Sequence, residues 1–322
     1  MYQKKDPSLP TLSVVTPAYN QAEFLRDTID SVLSQDYPNI EHIVLDDGST
    51  DDTAKILESY SNAVRWETQK NMGQTPTINK GWELTGGEFI TWLNSDDTFY
   101  SSTSVSEGLQ YLIDDPELGI IFGDSMFTEA DGKEIEPTRP IANFTYEEMV
   151  RTCENSISQP SAFIRRAVIE KVGALDPKYY YFMDWDLWLR AGLHFGIRHV
   201  DKIWSTYRLH AESKTVAQSK KAAPELEYMY KKFFAREDIP QSLRRIEDEA
   251  MMNMYFTSGG YYLKGGDADS SAKMASRAWE VNPGGRFTQE SVHKYLYCRW
   301  GGSDLYKAAR RLVRGDVKEP SY

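Results

Sequence analysis

Hydrophobic positions in the first half of the chain form short blocks that alternate with stretches of helical spacing. Five blocks have the length of buried strands and lie at residues 12–16, 40–45, 63–68, 88–93 and 118–123. Between the first two blocks, Leu25, Ile29, Val32 and Leu33 recur at helical spacing. A repeated strand, crossover and strand predicts right-handed βαβ units and a mostly parallel sheet covered by helices. The expected fold class is therefore α/β.

The pattern changes in the second half. Asp131-Gly132 is typical of a hairpin turn, and residues 184–195 read as a helix that opens with acidic residues. From Val216 onward the periodicity is almost entirely helical, and glycine pairs such as Gly259-Gly260 read as breaks between helices. The predicted helices cover residues 226–235, 243–256, 268–281, 291–299 and 304–313. We therefore expect two domains, 1–215 and a helical region 216–322.

Composition narrows the class of protein. Hydrophobic residues make up 40% of the chain and charged residues 26%, which is typical of a folded globular protein. The mean hydropathy of −0.56 and the lack of a long apolar run exclude a membrane-spanning helix. The first ten residues lack the apolar segment of a secretory signal, and Cys153 and Cys298 lie far apart. These features favour a cytoplasmic protein without a disulfide framework or a zinc site.

Charge and aromatic content indicate which kinds of ligand the protein could bind. There are 37 basic and 48 acidic side chains, a net charge of −11, which argues against a nucleic-acid-binding surface. Aromatic residues make up 13% of the chain. Aromatic rings stack on bases and sugars and also fill cores, so this content alone leaves both interpretations open.

Polar turns follow three of the predicted strands, where an open α/β sheet binds its ligands. They are TPAYN at 16–20, DDGS at 46–49 and NSDD at 94–97. Neither a GxGxxG nor a GxxxxGK[ST] motif is present to cradle phosphates. Oxygen ligands such as Asp96 and the Asn94 amide suit a Mg²⁺ or Mn²⁺ ion that would neutralise a diphosphate instead. Each turn by itself is also compatible with a solvated loop.

Seven motifs together resemble those of family 2 of the inverting nucleotide-sugar glycosyltransferases, whose members have the GT-A fold. The similarity spans residues 11–215, in the order and spacing typical of the family. The motifs are TPAYN (16–20), LSQDYPNIEHIVLDDGSTDDT (33–53), KNMGQTPTINKG (70–81), GEFITWLNSDD (87–97), SQPSAFIRR (158–166), MDWDLWLRAG (183–192) and YRLHAESKT (207–215).

The resemblance implies a donor site. Pro17 and Tyr19 would frame the nucleobase, with Tyr19 stacking on it, and Asp47 would accept a hydrogen bond from the base's ring N–H. Asn94-Ser95-Asp96 occupies the position of the family's DxD motif, where Asp96 would ligate a Mn²⁺ or Mg²⁺ ion bound to the diphosphate. Asn94 would lie near the ribose, and it stands where the family has an aspartate.

The resemblance also implies a catalytic group. Asp184 matches the aspartate of the family's ED motif and would be the general base, while Met183 replaces the glutamate. His210 resembles a late histidine that serves some of these enzymes as a further metal ligand, and a surface histidine is the alternative. We expect Asp186 to cap its helix. Arg208 is either a partner of the diphosphate or a solvated side chain.

Taken together, the resemblance implies a metal-dependent inverting glycosyltransferase. It would transfer a sugar from a nucleoside diphosphate donor, UDP-sugar in particular, to a hydroxyl of a glycan or lipid-linked saccharide in cell-surface polysaccharide biosynthesis. The rival interpretation is a catalytically silent protein that binds nucleotide sugars or glycans. Two further questions stay open. Trp185 and Trp188 would either stack on an acceptor sugar or fill the core. Residues 303–315 would form a helix that contacts either an anionic membrane or solvent.

Overall fold

The computed structural model describes residues 5–138, 141–210, 219–281, 295 and 297–299. The chain forms two compact units, one of Met1–Thr145 with Ser156–His210 and the other of Tyr146–Asn155 with Ala211–Tyr322. A short segment from the middle of the chain thus belongs with the C-terminal helices. The division into domains 1–215 and 216–322 stays a prediction.

Over the described residues, the first unit alternates strands and helices, and the second is helical. The strands are β1 (Leu12–Ala18), β2 (Ile40–Asp46), β3 (Arg65–Thr68), β4 (Phe89–Trp92), β5 (Leu118–Thr128), β6 (Glu134–Pro137), β7 (Ala162–Arg165) and β8 (Gly196–Arg208). The helices are α1 (Leu25–Leu33), α2 (Thr53–Ser59), α3 (Gln74–Glu83), α4 (Ser104–Asp114), α5 (Tyr146–Thr152), α6 (Arg166–Val172), α7 (Met183–Ala191), α8 (Ser219–Phe234), α9 (Gln241–Arg244), α10 (Glu247–Lys264) and α11 (Ala268–Val281).

The described strands form one mixed sheet in the order β3-β2-β1-β4-β7-β5-β6, with β8 paired to β5. β1 to β4 pair in parallel, as does β8 with β5, which confirms the α/β fold class. The fifth predicted strand, β5, does not pair with β4, because the short antiparallel β7 lies between them. Because β1, β2 and β4 are parallel, the three polar turns that follow them lie at the same edge of the sheet.

Glycines let two helices approach the sheet closely. A Cβ atom on Gly81 of α3 would lie 2.3 Å from Val15 of β1, and one on Gly108 of α4 would lie 2.3 Å from the Phe163 ring of β7. Val15 and Phe163 are both fully buried. The absence of a side chain at these two helical positions therefore sets how tightly the helices cover the sheet.

The second unit packs its helices around α10. α10 runs without interruption through Gly259 and Gly260, so the prediction that this pair ends a helix is wrong. A Cβ atom on Gly259 would lie 2.8 Å from the Cys298 sulfur, which explains why a glycine stands in the middle of this helix. The chain turns instead at Gly265 and Gly266, where Gly266 has a φ of 79°.

Over the described ranges, no helix combines the length and the apolar character needed to cross a bilayer. The segment 303–315, for which contact with an anionic membrane or with solvent was left open, lies outside the described residues.

Replacing Gly108 with alanine tests the packing of α4. Alanine normally stabilises a helix over glycine by about 1 kcal/mol. Here the new methyl group would meet Phe163, whose ring is held against Phe99 and Trp204 and cannot move aside. We expect Gly108→Ala to lower the free energy of unfolding by roughly 1–3 kcal/mol in urea denaturation. Gly86→Ala, with nothing within 4 Å of the new atom, is the control. A Gly108→Ala protein as stable as the parent would contradict this packing.

Candidate active site

The loop after β1 carries the Tyr19 ring. Pro17 is buried within β1, whereas Tyr19 is 48% exposed. Asn20 has a φ of 52°, and its backbone N–H donates to the Ser49 hydroxyl at 2.9 Å while its side-chain oxygen accepts from the Thr50 N–H at 2.8 Å. These two bonds fix the loop after β1 to the loop after β2. The predicted base-stacking ring is thereby held beside residues 46–49, the first acidic turn.

Asp47 is buried and anchors the loop that precedes α3. Its Oδ1 accepts from Gln69 Nε2 at 2.9 Å and from the Met72 N–H at 2.8 Å, and its Oδ2 accepts from the Gly73 N–H at 2.8 Å. Lys80 donates to Gln69 Oε1 at 2.8 Å, and since lysine can only donate, this contact orients the Gln69 amide toward Asp47. The role of Asp47 toward a nucleobase stays a prediction. Its three hydrogen bonds within the protein show that it also shapes this loop.

Asn94, at the end of β4, joins three segments of the chain. Its Oδ1 accepts from Gln74 Nε2 at 2.7 Å, and its Nδ2 donates to Gln159 Oε1 and to Asp97 Oδ2, each at 3.2 Å. Gln159 in turn donates to the Trp92 carbonyl at 2.7 Å. An amide accepts and donates at once, which an ionised carboxylate cannot do. Asn94 is thus a connector within the protein, and its predicted place near the ribose stays a prediction.

The two adjacent aspartates of this turn have different environments. Asp97 is buried, and it accepts from the Arg208 backbone N–H at 3.1 Å. Burial, followed by the neighbouring charge of Asp96, raises the pKa of the Asp97 carboxyl well above its ordinary value. The Asp96 side chain is 22% exposed. Of the two carboxylates, Asp96 is therefore the one available to a ligand.

The structure brings His210 to Asp96. Their side chains meet at 2.9 Å between His210 Nε2 and Asp96 Oδ2, although 114 positions separate them in the sequence. A carboxylate oxygen and an imidazole nitrogen are both suitable ligands of Mn²⁺, and the carboxylate also suits Mg²⁺. Within the described part of the chain, no cluster of three or more His, Cys, Asp or Glu side chains is arranged to hold a metal ion. The pair fits a cation whose other ligands are oxygens of a diphosphate or of water.

Asp184 lies at the start of α7, half-buried, where its Oδ1 accepts from the Trp185 N–H at 2.7 Å. Thr75 Oγ1 contacts the sulfur of Met183 at 2.7 Å. Gln74, which precedes Thr75, donates a hydrogen bond to Asn94. Two consecutive side chains at the start of α3 therefore link residues 94–97, the second acidic turn, to the helix that carries Asp184.

Other side chains of α7 belong to the core. Asp186, predicted to cap the helix, forms a buried ion pair with Arg190 at 2.7 Å, and Arg190 also donates to three carbonyls at the C-terminal end of α6. Trp185 and Trp188 are 2% and 0% exposed, which favours the core interpretation that the sequence left open. The aromatic ring exposed near the start of this helix is that of Tyr180, at 55%.

Arg208 does not fit the solvated alternative considered from the sequence, and its contact with a diphosphate stays a prediction. Its guanidinium is neither solvated nor directed outward, since it is buried and donates to the Asp96 carbonyl at 3.0 Å. Sequence reasoning did not single out Gln74 or the connecting role of Asn94. A glutamine directly after a glycine at a helix start carries no distinctive spacing, so only the fold identifies its partner.

The sequence comparison assigns the family. Residues 13–173 match the model of Glycosyl transferase family 2. An uncharacterized glycosyltransferase of Rickettsia prowazekii is 26% identical over 212 residues, which cover 64% of this chain and 66% of the relative. The chain spans less than two thirds of the length of the first Rickettsia relatives that it matches, between 30% and 66%.

Two solved structures have a similar fold. Staphylococcus aureus TarS 1–349 in complex with UDP-GlcNAc has a TM-score of 0.66 at 14% identity, over 96% of this chain and 93% of that one. The mannosyltransferase PcManGT from Pyrobaculum calidifontis, in complex with GDP-Man and Mn²⁺, has a TM-score of 0.61 at 16% identity, over 94% and 87%. The family match contains Asp47 and Asp96 but ends before Asp184 and His210. The chain belongs to glycosyl transferase family 2 and has the GT-A fold.

Proposed function

We propose that this glycosyltransferase is metal-dependent and inverting, and that it transfers a sugar from a UDP-sugar to a hydroxyl of a glycan or lipid-linked saccharide. The observation that carries the proposal is the 2.9 Å contact of His210 with Asp96, whose turn Gln74 and Thr75 link to the Asp184 helix. A cation-binding pair and a half-buried carboxylate are the two groups that such a reaction requires.

The donor proposal rests on Tyr19 and Asp47. The exposed Tyr19 ring offers a face for stacking on a base. Asp47 already accepts three hydrogen bonds, and a carboxylate has about four acceptor positions, so roughly one remains. One remaining position suits the single ring N–H of uracil. The complexes of TarS with UDP-GlcNAc and of PcManGT with GDP-Man support a nucleotide-sugar donor in general.

The cation proposal rests on Asp96 and His210, and the Mn²⁺ complex of PcManGT supports it. A bound Mn²⁺ or Mg²⁺ ion would stabilise the negative charge that develops on the leaving diphosphate. Asn94 stands where the family has an aspartate. We propose that it does not ligate the cation, because its amide oxygen and nitrogen already bond Gln74, Gln159 and Asp97.

Asp184 would act on the acceptor. Its carboxylate accepts the proton of the acceptor hydroxyl as the hydroxyl oxygen bonds the anomeric carbon and the bond from that carbon to the diphosphate oxygen breaks. Attack opposite the diphosphate inverts the anomeric configuration. Tyr180, exposed before the start of the same helix, offers a ring for stacking on an acceptor sugar. Synthesis of cell-surface polysaccharide in the cytoplasm is the biological setting that we propose.

Donor binding is tested by thermal shift with UDP-sugars and GDP-sugars, with and without Mn²⁺. We expect a UDP-sugar plus Mn²⁺ to stabilise the protein, by about 2.7 kcal/mol when the free ligand exceeds its Kd a hundredfold. Asp96→Asn, which removes the charged ligand, should abolish the dependence on Mn²⁺. Stabilisation by GDP-sugars alone would make the uridine assignment wrong, and no stabilisation by any nucleotide sugar would overturn the donor site.

Catalysis is separated from binding by Asp184→Asn. We expect this variant to keep its melting temperature and donor affinity but to lose about 10²–10⁴-fold in the rate of UDP release, because only the proton acceptor is removed. Asp186→Asn is the matched comparison on the same helix: it leaves the buried Arg190 charge unpaired and should cost roughly 3 kcal/mol of stability. Unchanged turnover in Asp184→Asn would mean that a different group accepts the proton, and a parent protein without any turnover would favour the silent binding protein.

Asn94→Asp would restore the family's DxD pattern, yet we expect it to harm this protein. A carboxylate cannot donate to Gln159, and it would place a second negative charge beside Asp97 Oδ2, now 3.2 Å from the amide nitrogen. The expected loss of stability in urea is about 1–3 kcal/mol, with weaker donor binding. The same change at the exposed Asn143 is the control and should be nearly neutral. Tighter Mn²⁺ binding by Asn94→Asp at unchanged stability would contradict the connecting role.

A further inference from the structure

The side chain of Arg208, at the end of β8, joins three separate parts of the first unit. The guanidinium side chain is 7% exposed. Its Nε donates to the Asp96 carbonyl at 3.0 Å, its Nη1 to the Ala130 carbonyl at 2.7 Å, and its Nη2 to the Asp27 carboxylate of α1 at 2.9 Å. Its own backbone N–H bonds Asp97. The acidic turn is therefore held both by the backbone and by the side chain of the same arginine.

Phe24, immediately before α1, contacts Arg208 and His210 together. The Arg208 guanidinium carbon lies 4.8 Å from the centre of the Phe24 ring, and the centres of the Phe24 and His210 rings are 5.0 Å apart. Phe24 is buried. The imidazole is thus packed on the same ring that supports the guanidinium, two residues along the chain from it.

Both members of the Asp96–His210 pair therefore depend on Arg208. The Arg208 side chain holds the Asp96 main chain through the bond to its carbonyl. His210 follows Arg208 by two residues, and its ring packs on Phe24. The planar fork of arginine reaches three acceptors in fixed directions, which a lysine ammonium cannot reproduce. The charge of Arg208 is paired with Asp27, and its contact with Asp96 is to the main-chain carbonyl, so we expect it to act on the pair through position.

We propose that Arg208 is a positioning residue that holds Asp96 and His210 at the spacing that binds the divalent cation of the proposed glycosyl transfer. This inference rests on the proposed function and adds a residue that touches neither the cation nor the sugar. Groups that orient metal ligands commonly change metal affinity by 10–100-fold when they are replaced.

The test is the affinity for Mn²⁺ in the presence of UDP, measured by electron paramagnetic resonance of the free ion. We expect Arg208→Lys, which keeps the charge, to raise the Kd for Mn²⁺ at least about tenfold, and saturating Mn²⁺ to restore most of the UDP release. Arg198→Lys is the matched control, because Arg198 lies on the same strand, is 47% exposed and pairs with Asp115 away from the acidic turn. Its Mn²⁺ affinity should equal that of the parent.

A second variant covers a failure of Arg208→Lys to fold. Phe24→Leu keeps an apolar side chain but removes the ring that Arg208 and His210 share, and it should also weaken Mn²⁺ binding. Parent-like Mn²⁺ affinity in a folded Arg208→Lys or, failing that, in Phe24→Leu would overturn the positioning role while leaving the proposed function intact. If the parent protein binds UDP equally well with and without Mn²⁺, both the proposed cation site and the positioning role of Arg208 are wrong.

Discussion

The buried carboxylate of Asp97 is the group around which the site is organised. The Asn94 amide and the Arg208 backbone N–H each donate to one of its oxygens, so the end of β4 is tied to the end of β8. Burying a carboxyl group is costly unless its oxygens are hydrogen-bonded. The raised pKa of Asp97 reflects this burial and the neighbouring Asp96. Because Asp97 is directed inward, Asp96 remains accessible at the surface of the turn.

Side-chain amides carry much of the connection between the loops. Gln74 and Gln159 both bond Asn94, and Gln69 bonds Asp47. Amides can link an acceptor on one segment to a donor on another without adding charge beside the two acidic turns. The asparagine at the first position of the DxD-like motif is therefore consistent with its surroundings. A substitution that looks like a loss of function in the sequence is part of a network in the structure.

Local pattern was sufficient for most of the elements and insufficient for their neighbours. The five predicted strands exist, since period and length depend on nearby residues alone. The insertion of β7 between β4 and β5 depends on pairing between residues that are distant in the sequence. Gly259 illustrates the same limit: its sequence context is typical of a helix end, but it lies inside a continuous helix, where Cys298 leaves no room for a side chain.

The sequence by itself determined the α/β class, the acidic turns at the strand ends and the membership of family 2, because these depend on short motifs in a set order. The tertiary structure alone decided that His210 meets Asp96, that Trp185 and Trp188 are buried, and that Arg208 holds the acidic turn. The residues that form the contacts of Asp96 with His210 and Arg208 lie more than a hundred positions apart in the sequence. No local periodicity records them, since they form only when the strands and helices pack together.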